Sequence, residues 1–223
     1  MQKLIAGLRE FMSSVHARER AFFEELATGQ QPEVLFVTCS DSRVVPSVFT
    51  QTKPGDLFTI RNVGNIIPPI SDPGSAEAAA IEFAVRGLTV KDVVVCGHSD
   101  CGAMQGLLAP EKLVEMPAVA SWLRHTDQTE RILNQRYGDT QGRERLRHAT
   151  ELNVMVQLAH LAQHRSVAER LADGSLRVHG WVYDIGSGTV SSFDSEAGEF
   201  VPVAAKDHSM DGLRSADLDA VMS

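Results

Sequence analysis

The stretch VLFVTCSDSRVVP, residues 34–46, places three chemically reactive side chains directly after a run of apolar residues. A continuous apolar run of this kind is typical of a strand buried on both faces, as in a parallel sheet. Cys39, Asp41 and Arg43 then follow at alternate positions, which share one face of an extended chain. The stretch therefore predicts a buried strand that ends in a thiol, an acid and a cation pointing the same way.

Two further apolar runs, at residues 57–60 and 93–96, repeat the pattern of a buried strand. Between them, residues 74–88 are rich in alanine and glutamate and contain Ser75, a residue type favoured at helix N-caps. Strands that alternate with helices predict an α/β fold, with a central sheet that has a parallel core and is flanked by helices.

The remaining segments complete the predicted architecture. Apolar stripes predict helices over residues 2–28, 117–136 and 143–172, and residues 176–194 predict a hairpin of two strands that turns at GSG, 186–188. We find no internal repeat and no linker, so a single domain over residues 1–223 is expected. Residues 1–30 would form an N-terminal helical arm that packs on a partner subunit, and residues 204–223 a polar tail.

Composition excludes several classes of protein. The chain has 223 residues, with 21 Lys and Arg against 29 Asp and Glu, and its net charge of −8 argues against nucleic-acid binding. No apolar run is long enough for a membrane span, and the N-terminus lacks the layout of a signal peptide. We therefore expect neither a nucleic-acid nor a membrane partner, and a cytoplasmic location. The three cysteines, in a reducing compartment, favour metal or thiol chemistry over disulfides.

A second strand end carries the complementary chemistry. VVVCGHSDCGAM, residues 93–104, places His98 and Cys101 after an apolar run, and sites in open α/β sheets form outside the carboxyl ends of the strands. Two thiolates and one imidazole suit tetrahedral zinc, and three protein ligands leave the open position of a catalytic site. A H-x-x-C pattern is weak by itself, so a reactive thiol is an alternative at this point. We interpret Cys96 as a buried strand residue, and His160 and His164 as two solvated histidines.

CSDSR at 39–43 and GHSDCGAM at 97–104 resemble the motifs of the β-class carbonic anhydrases. The likeness covers nearly the whole chain, through GDLFTIRNVGNIIPP at 55–69, AAAIEFAV at 78–85 and HGWVYDIGSG at 179–188. MPAVASWLRH at 116–125 is similar to the bacterial enzymes associated with cyanate metabolism. The resemblance implies an α/β fold with a parallel core and one Zn²⁺ per subunit. It also implies reversible hydration of CO2 to bicarbonate and a proton, by attack of zinc-bound hydroxide on CO2 in an apolar pocket.

The resemblance also implies roles for particular residues. Zinc would be held by Cys39, His98 and Cys101, with Asp41 and Arg43 as a catalytic pair and Asp41 as a fourth ligand in a closed state. The implied substrate-binding residues are Gln30, Phe58, Val63, Phe83 and Gly102. The expected assembly is a homo-oligomer, at least a dimer, with a tetramer left open.

Two other functions remain as alternatives. One is hydrolysis of a linear CO2 analogue, such as carbonyl sulfide, at the same site. The other is a non-catalytic zinc or thiol sensor. A sensor has little use for Asp41, Arg43 and an apolar pocket, so these features favour the zinc lyase.

Overall fold

The computed structural model describes residues 1–70, 74–203 and 212–213, and these residues form two compact units within 1–31 and 32–223. The single domain predicted over residues 1–223 stays a prediction. The predicted polar tail lies outside the described residues except for Gly212 and Leu213. The backbone N–H of Leu213 donates to the carbonyl of Val178, at 2.8 Å. In the described ranges, no helix combines the length and hydropathy that a membrane span requires.

The first unit is helical. It consists of α1 (Gln2–Glu10), a π-helical turn (Phe11–Val15), α2 (His16–Arg18) and α3 (Arg20–Leu26). The helix predicted over residues 2–28 is thus interrupted at Glu19, which has φ −105° and ψ 27°. Leu4, Leu8 and Met12 of the apolar stripe are between 61% and 70% exposed. The expected packing of this arm on a partner subunit stays a prediction.

A six-stranded sheet forms the framework of the second unit. Its strands are β1 (Val34–Cys39), β2 (Leu57–Asn62), β3 (Asp92–His98), β4 (Arg177–Tyr183), β5 (Val190–Asp194) and β6 (Glu199–Pro202). The strand order is β2-β1-β3-β4-β5-β6. The first four strands in this order are parallel, β5 is antiparallel to β4, and β6 is antiparallel to β5. The predicted parallel core and the hairpin of β4 and β5 are confirmed. The sequence reasoning missed β6, which pairs Phe200 with Phe193 of β5.

Helices occupy the connections between the strands. They are α4 (Pro46–Phe49), α5 (Ala76–Glu82), α6 (Gly102–Leu108), α7 (Pro117–Leu123), α8 (Asp127–Arg136), α9 (Gly142–Gln163) and α10 (Arg165–Ala172). Helix α5 starts at the predicted N-cap, where Ser75 Oγ accepts a hydrogen bond from the N–H of Ala78 at 3.1 Å. The helix predicted over residues 143–172 is two helices, because His164 has ψ 124° and leaves the helical region.

Helix α9 packs against the sheet at unusually short range. A Cβ atom added at Gly97 would lie 2.9 Å from Val154 Cγ2 and 3.0 Å from Thr150 Cγ2, both on α9. Only glycine allows this approach without a shift of the helix. Because His98 follows Gly97 directly, the same contact determines where the imidazole of His98 lies relative to α9.

Helix α9 is buried on nearly all sides, which corrects one expectation. Val154 and Leu158 belong to the core beneath the sheet, whereas Leu152 and Val156 belong to the cluster formed with α6 and α8. His160 and His164, predicted to be solvated, are only 6% and 8% exposed. Burial lowers the pKa of both imidazoles. The prediction was wrong for His160 because the segment after β2 lies against it, with the Ile67 carbonyl oxygen 2.9 Å from its Nδ1.

An ion pair between Arg177 and Asp92 joins the amino-terminal ends of β3 and β4. Arg177 donates to Asp92 from Nε at 2.8 Å and from Nη2 at 2.7 Å, and His179 Nε2 lies 2.8 Å from Asp92 Oδ1. Partial burial opposes ionisation of Asp92, but the hydrogen bonds from Arg177 and His179 outweigh it and lower the pKa of the carboxyl. The ionised pair therefore stabilises the parallel pairing of the two strands.

We expect Asp92→Asn to lower the free energy of unfolding by about 1.5–3 kcal/mol at pH 7, because hydrogen bonds to a charged group are lost. Since the pKa of Asp92 is lower in the folded chain, the stabilisation is present above the unfolded value of about 3.9 and is lost as pH falls through the folded value. Urea denaturation at pH 7 and at pH 3 measures both quantities.

The matched control is Glu33→Gln, which removes the contact of 3.2 Å to Lys91, a pair whose side chains are 67% and 75% exposed. Such an exposed pair contributes little to stability. A loss in the Asp92 variant no larger than that of the control, or one that persists unchanged at pH 3, would contradict the role of the ion pair.

Candidate metal centre

The structure brings together Cys39, His98 and Cys101. Cys39 is the last residue of β1, His98 is the last residue of β3, and Cys101 is the N-cap residue of α6. Because β1 and β3 are parallel neighbours, their carboxyl ends meet at the same edge of the sheet. The two sulfurs and one imidazole nitrogen all lie within 4.8 Å of one another, and all three side chains are buried. This group could hold a metal ion.

The imidazole of His98 is oriented by the next residue of the chain. Its Nδ1 lies 2.9 Å from the carbonyl oxygen of Ser99, which can only accept, so Nδ1 carries the proton and Nε2 has the lone pair. Ser99 is itself held by β4 and the residues after it, since its N–H donates to the Tyr183 carbonyl and its Oγ accepts from the N–H of Ile185. Nε2 is buried and has no hydrogen-bond partner among the described residues. An imidazole whose Nε2 is free of hydrogen bonds, close to two sulfurs, is a suitable metal ligand.

The two thiols influence each other's protonation. The hydrogen bond from the Cys101 thiol lowers the pKa of the Cys39 thiol, and the hydrogen bond from the N–H of Gly64 acts in the same direction. The neighbouring Cys39 and burial raise the pKa of the Cys101 thiol. A bound cation removes this conflict because it stabilises both thiolates. Two thiolates and one neutral imidazole form a donor set that fits tetrahedral zinc.

Asp41 and Arg43 form a bidentate ion pair beside the group. Arg43 donates to Asp41 from Nε at 2.9 Å, from Nη2 at 2.7 Å, and from its backbone N–H at 2.9 Å. The hydrogen bond from the Arg43 side chain holds the pKa of the Asp41 carboxyl well below its usual range. Asp41 Oδ2 lies 3.9 Å from Nε2 of His98. An ionised acid thus stands next to the candidate metal ligands.

The extended geometry assumed for residues 39–43 is wrong. Strand β1 ends at Cys39, and a turn follows in which the N–H of Val44 donates to the carbonyl of Asp41 at 3.0 Å. Asp41 and Arg43 meet because the chain turns, not because they share a strand face.

Arg61 holds this turn in place, a role that sequence reasoning missed. Its guanidinium donates to the carbonyls of Cys39 at 3.2 Å, Asp41 at 2.8 Å and Val44 at 2.8 Å. Arg61 lies opposite Thr38 in the pairing of β2 with β1. A basic residue at the end of a strand was the only signal, and the sequence does not show which carbonyls it reaches.

The predicted substrate-binding residues lie in both units. The rings of Phe58 and Phe83 are 5.9 Å apart, and Val63 and Phe83 are 40% and 50% exposed. Gly102 is the first residue of α6, so its N–H has no intrahelical partner. Gln30 is exposed in the first unit. The roles of these five residues stay predictions.

Comparison with known proteins identifies the family of this chain. A family model for carbonic anhydrase matches residues 34–190. The chain is 43% identical over 202 residues to a carbonic anhydrase of Synechocystis sp., covering 90% of this chain and 74% of that protein. It is 43% identical over 204 residues to a carbonic anhydrase of Pseudomonas aeruginosa, covering 92% of each. Among solved structures it is similar to the β-carbonic anhydrase CcaA, with a TM-score of 0.92, 40% identity, and 98% and 97% of the two chains covered.

The chain belongs to the β-carbonic anhydrase family. It is also similar to the solved structure of a tetrameric β-carbonic anhydrase from Sordaria macrospora. The TM-score is 0.77 at 30% identity, and the match covers 86% of this chain and 95% of that chain. The narrower likeness to cyanate-associated enzymes stays a prediction.

In this β-carbonic anhydrase, Gly64 occupies a position that demands glycine. Its N–H donates to Cys39 Sγ at 3.4 Å, its φ is +84°, and an added Cβ would lie 2.8 Å from the Cβ of Ala103. Gly64 therefore fits closely between a candidate metal ligand and helix α6. Backbone conformation and space both exclude a side chain.

We expect Gly64→Ala to destabilise the fold by more than the roughly 1–2 kcal/mol of a left-handed backbone alone, because the added methyl group also displaces α6. Gly188→Ala is the matched control, since Gly188 has φ +74° and no described atom within 4 Å of an added Cβ. Denaturant unfolding of both variants measures the difference. Equal losses in the two variants would refute the close contact with Ala103.

Proposed function

We propose that this chain catalyses the reversible hydration of CO2 to bicarbonate and a proton, as a zinc lyase. The observation that carries the proposal is the unpartnered Nε2 of His98, buried beside two thiols and 3.9 Å from the ionised Asp41. Cys39, His98 and Cys101 would hold one zinc ion per chain. When bound, zinc supplies the acidification of water that provides a nucleophile near neutral pH.

Asp41 orients the nucleophile. An ionised carboxylate only accepts hydrogen bonds, and Oδ2 of Asp41 retains acceptor capacity because Arg43 contacts it with Nη2 alone. On the side that faces His98, Oδ2 accepts a hydrogen bond from the attacking oxygen and so aims a lone pair of that oxygen at the carbon of CO2. The bidentate pair with Arg43 keeps the carboxylate charged and in one orientation, which is the condition for such positioning.

The same carboxylate is the candidate fourth ligand in a closed state. In the family that state is released when the Asp–Arg pair forms, and here Arg43 donates three hydrogen bonds to Asp41. The observed pairing with Arg43 therefore supports the open arrangement, in which Asp41 serves the nucleophile.

Apolar side chains provide the binding surface for CO2. The substrate is apolar, so Phe58, Val63 and Phe83 suit it, with the N–H of Gly102 to orient it. The exposure of Val63 at 40% and Phe83 at 50% supports a pocket that a second copy of the chain completes. The proposed assembly is therefore a homo-oligomer, at least a dimer. A cytoplasmic location remains a prediction.

Zinc content tests the metal site directly. We expect the wild-type chain to bind one zinc ion and Cys101→Ala to bind it at least tenfold more weakly, because a thiolate ligand is removed. The control is Cys96→Ala. Cys96 is also buried, and burial raises its pKa to about 12, but it lies outside the three-residue group. Elemental analysis and chelator competition give the measurement. Equal zinc affinity in the two variants would refute the assigned ligands.

Stopped-flow CO2 hydration tests the role of Asp41. We expect Asp41→Asn to lower kcat/KM by about 100-fold or more with zinc content unchanged, because an amide can donate as well as accept and no longer holds the nucleophile in one orientation. Asp173→Asn is the matched control. Like Asp41, Asp173 accepts a hydrogen bond from the backbone N–H two residues further on, at 2.8 Å, but it lies in the loop after α10.

The same assay separates the alternatives. Zinc-loaded wild type that hydrates no CO2 but consumes carbonyl sulfide would favour the hydrolase. Zinc-loaded wild type that is inactive on both would favour a zinc or thiol sensor.

A further inference from the structure

We infer that Asn153, in the middle of α9, is a positioning residue for the candidate metal ligand Cys39. It acts through the backbone of Gly64 and does not contact the metal site itself. The inference rests on the proposed function to the extent that Cys39 is taken as a zinc ligand.

Two hydrogen bonds link Asn153 to the sulfur. Nδ2 of Asn153 donates to the carbonyl oxygen of Gly64 at 3.0 Å, and the N–H of Gly64 donates to Cys39 Sγ at 3.4 Å. The two polar groups of Gly64 flank a single Cα atom. Glycine is the most flexible residue, so its N–H points at the sulfur only if its neighbouring peptide is held. Asn153 provides that restraint.

Asn153 is itself held in one orientation. Its Oδ1 accepts hydrogen bonds from Gln157 Nε2 at 3.0 Å and from Thr129 Oγ1 at 3.5 Å. Both partners donate, so Oδ1 must face them and Nδ2 must face Gly64. Gln157 in turn accepts from the N–H of Ile67 at 2.8 Å with its Oε1. The network therefore binds α8 and α9 to both ends of the segment between Gly64 and Ile67.

The network lies in the interior of the protein, where a polar group without a hydrogen-bond partner destabilises the fold. Asn153 is 1% exposed, and Gln157 and Thr129 are fully buried. A buried amide without partners destabilises a fold, and asparagine is a poor helix former. Within α9 the amide of Asn153 bonds Gln157, one turn further on. The contact with Gly64 explains why an amide stands there.

The expected effect on the metal follows from the N–H···S bond. A hydrogen bond to a thiolate withdraws electron density from sulfur and fixes the direction of its lone pairs. Partners that orient metal ligands in this way typically change metal affinity by about 10–100-fold when they are removed. Loss of the restraint on Gly64 should therefore weaken zinc binding, because the Cys39 thiolate is then less well oriented and less stabilised by its hydrogen bond. The same loss raises the energy of the sulfur lone pairs, which lowers the energy of charge transfer from sulfur to a bound metal.

The test compares three variants with the wild type. Asn153→Leu removes the amide at nearly constant volume. Thr129→Val removes one donor to Asn153 and is the milder change. Thr126→Val is the control, because Thr126 is fully buried and donates to the Leu123 carbonyl at 2.6 Å, away from Gly64. The probes are Zn²⁺, in competition with a chelator, and Co²⁺, read by its sulfur-to-metal charge-transfer band.

We expect Asn153→Leu to bind zinc about tenfold more weakly than the wild type and to shift the cobalt band to lower energy. Thr129→Val should shift both in the same direction by less, and Thr126→Val should change neither. Behaviour of Asn153→Leu and Thr129→Val like that of the control would overturn the inference, and Thr129→Val decides if the leucine variant does not fold. Wild type that binds neither ion would overturn the proposed function together with the inference. Wild type that binds zinc beside unaffected variants would overturn the inference alone.

Discussion

The parallel pairing of β1 and β3 is the constraint on which the site depends. It places Cys39 and His98 at one edge of the sheet. Just before them, Thr38 of β1 pairs with Cys96 of β3 and donates a hydrogen bond to its carbonyl, although the two residues are 58 positions apart in the chain. The close contact of α9 at Gly97 then sets the depth of His98. The residues of the candidate centre lie either at the end of one of these two strands or in the turn that follows it.

Beyond the strand ends, hydrogen bonds between side chains and backbone hold the loops of the site in place. Arg61 holds the carbonyls of the turn that contains Asp41, Ser99 holds His98, and Asn153 holds Gly64. Loops have no ladder of hydrogen bonds to define their shape, so such contacts replace it. A rigid loop geometry is what positioning a small apolar substrate beside a metal requires.

Some of these features were readable in the sequence because they depend on local chemistry. The apolar run of β1, the cap at Ser75 and the H-x-x-C spacing each reflect neighbouring residues. The strand β6 was missed because its four residues have a mixed pattern, and its burial comes from pairing with β5. Asn153 and Gln157 were missed as well. Their only signal was two amides, four residues apart, within an apolar helix.

The sequence by itself determined the α/β class, because patterns of apolar residues carry that information, and it indicated the three candidate ligands and the family through motifs that resemble those of the β-class carbonic anhydrases. Only the tertiary structure decided that Asp41 bonds to Arg43 through a turn, that Nε2 of His98 is buried without a described partner, and that α9 reaches Cys39 through Gly64. These facts depend on contacts between residues far apart in the chain. Such contacts are set by packing in three dimensions, which local propensity does not encode.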